Sequence, residues 1–448
     1  MQAAFMLLFA AAAAPDWNTC VPARWPGSDP ASLALLDNSP INCLLVEQNR
    51  ATAAFVKSAR DRGRKVLAIV GGEFEPSGDF DALVIEEATT SEAAARKARD
   101  SGKAVIELVS RVRMNFEAAP VVGASDGVWP GIRLEQDGKA VGAPTGAPWI
   151  DTNGGFLRFA RARSAAPVWI SVKPPENRAL SANNYVQAIA DAAIAGAHWV
   201  ISLDSRTAKE LLAGEPAARE IWTRMNRALR FFDEQRPFWD APDYSSLSVL
   251  QDVPSGALYA GGFIDMIAAK HIPASPLPVP KLGATPARGT KLLLNIDPGA
   301  LSPEQQEKVR AVARQGAIVV NGPPAWKAAV SATDRFTFEG DQIKKLDEAW
   351  REINHLIGRR NFGVRLFGAP GMLSNLKSAH GGKQLALLLV NYTDYPVESI
   401  SVHLLAKYKS AVLITPAGRK KLELYDVEEG SGTDLDRVDD LAIVVFEN

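Results

Sequence analysis

The chain has 448 residues, 47% hydrophobic and 23% charged, which is the balance of a packed globular protein of about two to three domains and excludes a disordered or fibrous one. Its 50 Lys and Arg against 51 Asp and Glu leave a formal charge of −1, so no overall electrostatic footprint for nucleic acid or an anionic membrane is present. Two cysteines exclude a four-cysteine zinc site, and the histidines (His198, His271, His355, His380, His403) lack ligand spacing, so neither a catalytic metal nor another cofactor is expected.

The opening MQAAFMLLFAAAAAPDW has an apolar core followed by small residues, the pattern of a secretory signal peptide, here assigned to residues 1–15. No Lys or Arg precedes the apolar run, and the terminal amine supplies the only positive charge. The mature protein is then expected to be secreted or periplasmic. No other run approaches the roughly 18 apolar residues of a membrane span, so membrane insertion of the mature protein is not expected. Cys20 and Cys43 follow closely; in an oxidising compartment they could staple a short loop, or they could remain buried thiols.

Between residues 40 and 205, β-rich runs alternate with Ala/Arg/Lys-rich helical stretches that end at Gly. The runs are CLLVE (43–47), VLAIV (66–70), ALVIEE (82–87), AVIELVS (104–110), GIRLE (131–135), APWID (147–151), VWISVK (168–173) and WVISLD (199–204). Eight apolar strands alternating with helices predict a (β/α)8-like barrel over residues 16–240, small and degenerate where no helix separates the fifth and sixth strands. Five runs finish on a carboxylate: Glu47, Glu87, Glu135, Asp151 and Asp204. In a barrel such ends converge on the active face; alternatively each acid caps the helix that follows.

The stretch from Gly127 to Ala162 gathers Trp129, Arg133, Glu135, Trp149, Asp151 and Asn153. Indole faces beside carboxylates suit a sugar, whose apolar ring face stacks while its hydroxyls need polar partners; the same Trp residues could equally be core plugs. Strand alternation places Arg133 with Glu135, Trp169 with Ser171 and Lys173, and Ser202 with Asp204, forming either a ligand site or an internal ion network. The candidate catalytic residues are Glu135, Asp151 and Asp204, and the candidate substrate-binding residues Glu47, Trp129, Arg133, Trp149, Asn153 and Lys173. GASDG (123–127) fits G-x-S-x-G, but Trp129-Pro130-Gly131 follows instead of a helix, so Ser125 is set aside as a nucleophile.

Beyond an amphipathic helix near 215–235 and the linker RPFWDAPDY, strands SLSVLQD, KLLLNID and AIVVNG with two helices predict a flavodoxin-like α/β unit over 245–330. A helical connector over 331–360 includes QIKKLDEAWREINHLIG. LALLLVNYT, SISVHLL, SAVLITP and LAIVVFEN then predict an antiparallel β-sandwich over 361–448.

The tail LALLLVNYTDYPVESISVHL…VLITPAG…VDDLAIVVFEN and the middle LSPEQQEKVRAVARQGAIVVNG, in this order after a barrel, resemble three-domain secreted glycoside hydrolases of the β-galactosidase kind. That resemblance implies a TIM barrel with paired carboxyl groups acting on a glycan, and a glutamine-amidotransferase-like middle domain that serves homo-oligomer assembly. The middle unit holds no cysteine, which removes amidotransfer chemistry. The family carries Asn-Glu at the end of strand four and Glu at the end of strand seven. Here no Asn precedes Glu107 in AVIELVSRVRMNFE, and Glu176 lies beyond two prolines in VWISVKPPENR. Two functions therefore stand: a glycoside hydrolase, or a non-catalytic hydrolase-like protein that binds carbohydrate or scaffolds an oligomer.

Overall fold

The computed structural model describes residues 16–71, 78–117, 119–130, 152–175, 179–252, 256–283, 289–296, 298–322, 348, 351–358 and 360–448, with backbone alone at 134–136, 139–141 and 256–261. Its first unit is a parallel sheet of β1 (Pro22–Arg24), β2 (Cys43–Glu47), β3 (Lys65–Ile69), β4 (Ala82–Glu86), β5 (Val105–Val109) and β6 (Val122–Ala124), then, after a hairpin, β9 (Val168–Ile170) and β10 (His198–Trp199). The sheet closes on itself. Arg24 N donates to Ile201 O at 2.8 Å and Ile201 N to Pro22 O at 3.0 Å. The architecture is a (β/α)8-like barrel, followed by an α/β unit and an antiparallel sandwich.

Six of the eight runs read from sequence are barrel strands. GIRLE contributes instead to a two-stranded antiparallel hairpin, β7 (Leu134–Gln136) with β8 (Lys139–Val141), and APWID lies outside the described residues. Asp137-Gly138, a strong hairpin signal, stands between the two hairpin strands and explains why this segment pairs locally. The barrel's own first and sixth strands, β1 and β6, are three residues each, too short to show an alternation.

Helices cover the barrel: α1 (Ala53–Asp61), α2 (Glu92–Asp100), α3 (Gly154–Arg163), α4 (Ala182–Ile194), α5 (Ser205–Ala213) and α6 (Pro216–Glu234). Thr52, Ser91, Ser181 and Asp204 cap the first, second, fourth and fifth by accepting backbone N–H groups that the helix leaves unpaired. Alternation sorts the strands. Cys43 and Leu45, Leu67 and Ile69, Ala82 and Val84, Ile106 and Leu108, Trp169 and Val200 fill the interior, while Leu44, Val46, Leu83, Ile85 and Ile170 face the helices. Gly123 is paired in register with Trp169, and a Cβ there would meet Glu107 O at 2.4 Å, so only glycine fits the wall at this point. Cys20 and Cys43 form a disulfide in the barrel floor and both are fully buried.

After the short α7 (Arg236–Trp239), a parallel sheet of order β12-β11-β13-β14 is built from β11 (Leu247–Gln251), β12 (Ser275–Pro278), β13 (Leu292–Asn295) and β14 (Ile318–Asn321), with α8 (Gly256–Ala269) and α9 (Pro303–Arg314). The sequence reading missed β12 because Pro276 and Pro278 argue against a strand; it is tolerated at the sheet edge, where one side needs no ladder bonds. Ile353 and Ile357 complete the core of this unit.

Two antiparallel sheets close the chain. One has the order β15-β18-β22-β21 and the other β16-β17-β23-β19-β20. Their strands are β15 (Val364–Phe367), β16 (Met372–Ala379), β17 (Gln384–Asn391), β18 (Val397–Leu404), β19 (Ser410–Thr415), β20 (Gly418–Leu422), β21 (Tyr425–Val427), β22 (Gly430–Val438) and β23 (Leu441–Glu447). Leu385, Leu387 and Leu389 of one sheet pack on Ile400, Val402 and Leu404 of the other.

Candidate functional site

Above the apolar layers of the barrel, the next inward positions turn polar. Following each strand by twos, Cys43 and Leu45 lead to Glu47, Ala82 and Val84 to Glu86, Ile106 and Leu108 to Ser110, Trp169 to Ser171, and Val200 to Ser202. Arg24 enters this layer from β1. Its guanidinium forms an ion pair with Glu86 and its Nη2 donates to Ser171 Oγ at 3.1 Å. Burial pulls the Arg24 pKa down to about 10, and the negative charge of Glu47 works against that pull. Arg24 Nε and Ser110 Oγ are buried without a hydrogen-bond partner, so two donors face this layer unused.

Beside it opens a cleft of about 570 Å³ lined by Arg24, Lys173, Pro174, Ser202, Asp204 and Arg206. The arrangement combines an ion-paired carboxylate, a second carboxylate exposed at Glu47, an arginine that pairs with the first and feels the charge of the second, and serine hydroxyls. A polyhydroxylated ligand needs this mixture of acceptors and donors.

The candidate residues from sequence fare differently. Glu47 ends β2 at the barrel mouth, and Lys173 is exposed in the cleft wall. Asp204 also lines the cleft, but its carboxylate is already occupied. It accepts from Tyr185 OH at 2.8 Å, Thr207 Oγ1 at 2.7 Å, Thr207 N at 3.0 Å, Arg206 N at 3.1 Å and Leu180 N at 3.3 Å. Burial raises its pKa, and these hydrogen bonds more than offset burial, leaving the carboxyl below its usual value. This is a helix cap.

Trp129 is no sugar platform. It is 3% exposed, stands edge-on to Trp199 at 5.0 Å and Tyr185 at 5.7 Å, and its Nε1 donates to Lys173 O at 2.9 Å. Asn153 is 1% exposed and ties Arg111 Nη2 (3.0 Å), Val128 and Asp191 together in front of α3. The backbone of Glu135 pairs with Ala140 in the hairpin, away from the barrel's strand ladder. Arg133, Trp149 and Asp151, and the Glu135 side chain, lie outside the described residues.

Closure of the sheet renumbers its strands. The fourth barrel strand is β4, not AVIELVS, and it ends in Ile85-Glu86, a carboxylate without the preceding Asn. Glu107, on β5, faces the helices and pairs with Arg99 Nε at 2.8 Å. The seventh strand, β9, is followed by Ser171, Val172 and Lys173, with no acid through Pro175. Arg24 and Glu86 were missed. The signal for Glu86 was present in ALVIEE, where alternation selects Ala82, Val84 and Glu86; Glu87 points elsewhere, pairing with Arg113 and accepting from Ser110 N at 2.5 Å.

Comparison with solved structures finds α-L-fucosidase isoenzyme 2 from Paenibacillus thiaminolyticus at TM-score 0.63 and 10% identity, covering 95% of this chain and 98% of that one. The likeness is one of fold. A rhamnosidase from Novosphingobium sp. PP1Y (TM-score 0.44, 11% identity, 89% of this chain and 38% of that one) is similar more distantly. So is Gan42B, a GH42 β-galactosidase from G. stearothermophilus (TM-score 0.44, 8% identity, 89% and 66%). No family profile and no curated protein matches the sequence.

Proposed function

We propose that this protein is a secreted glycoside hydrolase whose site lies at the barrel mouth, with Glu86 and Glu47 as the working carboxylates and Arg24 as the group that positions and charges Glu86. The observation that carries this reading is the Arg24–Glu86–Ser171 cluster at the top of a closed parallel barrel, beside an open cleft. Glycosidic cleavage uses two carboxyl groups, one of them ionised to attack or to activate water. Glu86, held against a guanidinium, suits the ionised role; Glu47, open to solvent, suits proton transfer. Glu135 and Asp151 remain candidates on the segment between β6 and α3. The fold shared with a fucosidase makes aryl α-L-fucosides the first substrates to try. The buried Cys20–Cys43 disulfide supports the export reading, since such bonds persist in oxidising compartments. Self-association through the middle unit is part of the proposal by resemblance, and light scattering across micromolar concentrations tests it.

A second reading is favoured by two specific observations: Asp204 is consumed as a helix cap, and no acid follows β9 within the described loop. On that reading the mouth binds carbohydrate without cleaving it. Release of aryl groups from a panel of glycosides decides between them. The hydrolase reading expects turnover by the parent and a loss of about 10²- to 10⁴-fold in Glu86→Gln and Glu47→Gln, the size of an acid–base contribution. Saturable sugar binding with no turnover by the parent selects the binding protein. Unchanged turnover in both variants moves the chemistry to Glu135 or Asp151.

A further inference from the structure

At the opposite end of the barrel, where α3 ends and Ala195-Gly196 lead into β10, the barrel, middle unit and sandwich enclose a cavity of about 340 Å³. Two of its lining cations are almost fully buried and share one carboxylate. Arg158 Nε and Lys377 Nζ each lie 2.8 Å from an oxygen of Asp243, with side chains 6% and 4% exposed. Asn375 Nδ2 also donates to Asp243, at 3.0 Å, so that carboxylate has little left to offer. On the rim Arg161 pairs with Asp240 at 2.7 Å, and Lys281 Nζ donates to the backbone oxygen of Ala162.

Among the described lining residues, four cations therefore face two carboxylates. One surplus charge, Lys281, is exposed on the rim; the other belongs to the buried Arg158–Asp243–Lys377 triad, where two cations share one carboxylate and burial lowers the Lys377 pKa against the pull of Asp243. An uncompensated buried charge is costly enough that proteins pair it or supply a counter-ion. Ser275 Oγ, in the same wall, is buried without a hydrogen-bond partner, and Lys377 has three N–H donors of which Asp243 takes one. The next carboxyl group, Asp265, has its pKa raised to about 8 and so brings little charge at neutral pH.

We propose that this cavity binds a small dianionic oxyanion, a phosphate or sulfate group either free or carried on a sugar. Arg158 and Lys377 supply the floor, Arg161 and Lys281 the rim, and Ser275 a neutral donor. Planar and point-charge cations together suit tetrahedral oxyanions. The site is separate from the barrel mouth and does not depend on the chemistry proposed there.

Titration calorimetry and thermal unfolding of the whole protein test it, with sodium phosphate and sodium sulfate compared with sodium chloride at matched ionic strength. Expected are one phosphate or sulfate per chain, a saturable rise in Tm absent with chloride, and affinity at least about tenfold weaker in Arg161→Gln/Lys281→Gln, which spares the buried triad. Glu86→Gln should bind these anions as the parent does. Tighter binding of glucose 6-phosphate than of phosphate assigns an ester-borne group, and weaker binding the free ion, both within the proposal. Equal effects of chloride, phosphate and sulfate on the parent overturn it, as does undiminished affinity in the folded double variant.

Discussion

Arg24 on the first barrel strand and Glu86 on the fourth meet across the barrel mouth as an ion pair, 17% and 6% exposed. Neither β1 nor β4 could hold its charge alone in that position. Arg24 also carries the bond that closes the sheet, from its N to Ile201 O, so one residue joins the closing ladder to the polar layer of the mouth.

Breaking this pair from one side should cost more than removing it altogether. Glu86→Gln leaves the Arg24 guanidinium inside without its counter-charge, and a loss of roughly 3 kcal/mol is expected, the lower end for a buried pair because Arg24 keeps some solvent. Arg24→Met/Glu86→Met should recover most of that loss. Urea midpoints measure both. A single variant as stable as the parent, or a double variant worse than either single, contradicts the account.

Asp204 should prove structural. With Asp204→Ala, α5 loses its cap and Tyr185 OH, Leu180 N and Thr207 lose their acceptor, so stability should fall by about 2 kcal/mol, the upper end for a capping residue. The folded variant should keep whatever glycoside turnover the parent has. The pH sign follows from its lowered pKa: the stabilisation is present above the unfolded value near 4 and is lost as pH falls through the folded value. A collapse of turnover without loss of stability would return Asp204 to the catalytic set.

Much of the fold was legible because long apolar strands and capped helices state their period plainly. CLLVE, ALVIEE and AVIELVS needed no tertiary information, and Ser302 with Gln305 forms the capping box that its spacing implies. The site was less legible. Val122–Ala124 and Pro22–Arg24 are too short to carry an alternation, and without them the strand count at the mouth shifts. An acid at a run end fits either convergence on the mouth or a helix cap, and whether Asp204 points to a ligand or back to its own helix depends on Tyr185 and Thr207, which only the folded chain brings close. Trp129 shows the same limit. Burial between α4 and β10, not residue type, makes it a core side chain.

The Cys20–Cys43 disulfide ties the segment before β1 to the start of β2, over a separation of 23 residues. Closing a loop of that size restricts the unfolded chain by about 3 kcal/mol, and the bond also holds β1 ready for ladder closure. Cys20→Ala/Cys43→Ala should lower the unfolding free energy read from urea titration by that amount, seen as a lower midpoint, and narrow the gap between oxidised and reduced samples to nothing. Equal midpoints for parent and variant in oxidising buffer would show that the staple is dispensable.

Asp265 gives the sharpest pH prediction. It lies on α8, partly buried against the start of α3, and accepts Gly155 N–H at 2.6 Å. Burial drives its pKa up to about 8; Gly155 N–H opposes this, the nearby Asp191 carboxylate adds to it, and Arg111 and Arg158 work against it. In the unfolded chain the same group titrates near 4. Between those values the unfolded state has released a proton that the folded state keeps, so the folded state binds more protons and stability falls as pH rises. The contribution is full below about pH 4, declines through the neutral range and levels off above about 8. Asp265→Asn keeps an oxygen for Gly155 N–H and has no proton to lose, so its stability relative to the parent should climb from pH 5 to pH 8 and then stay level. Thermal unfolding at half-unit pH steps, with both proteins in the same buffers, reads the difference directly. A difference that is flat across this range would mean that Asp265 is ionised in the folded protein and that Arg111 and Arg158 hold its charge after all.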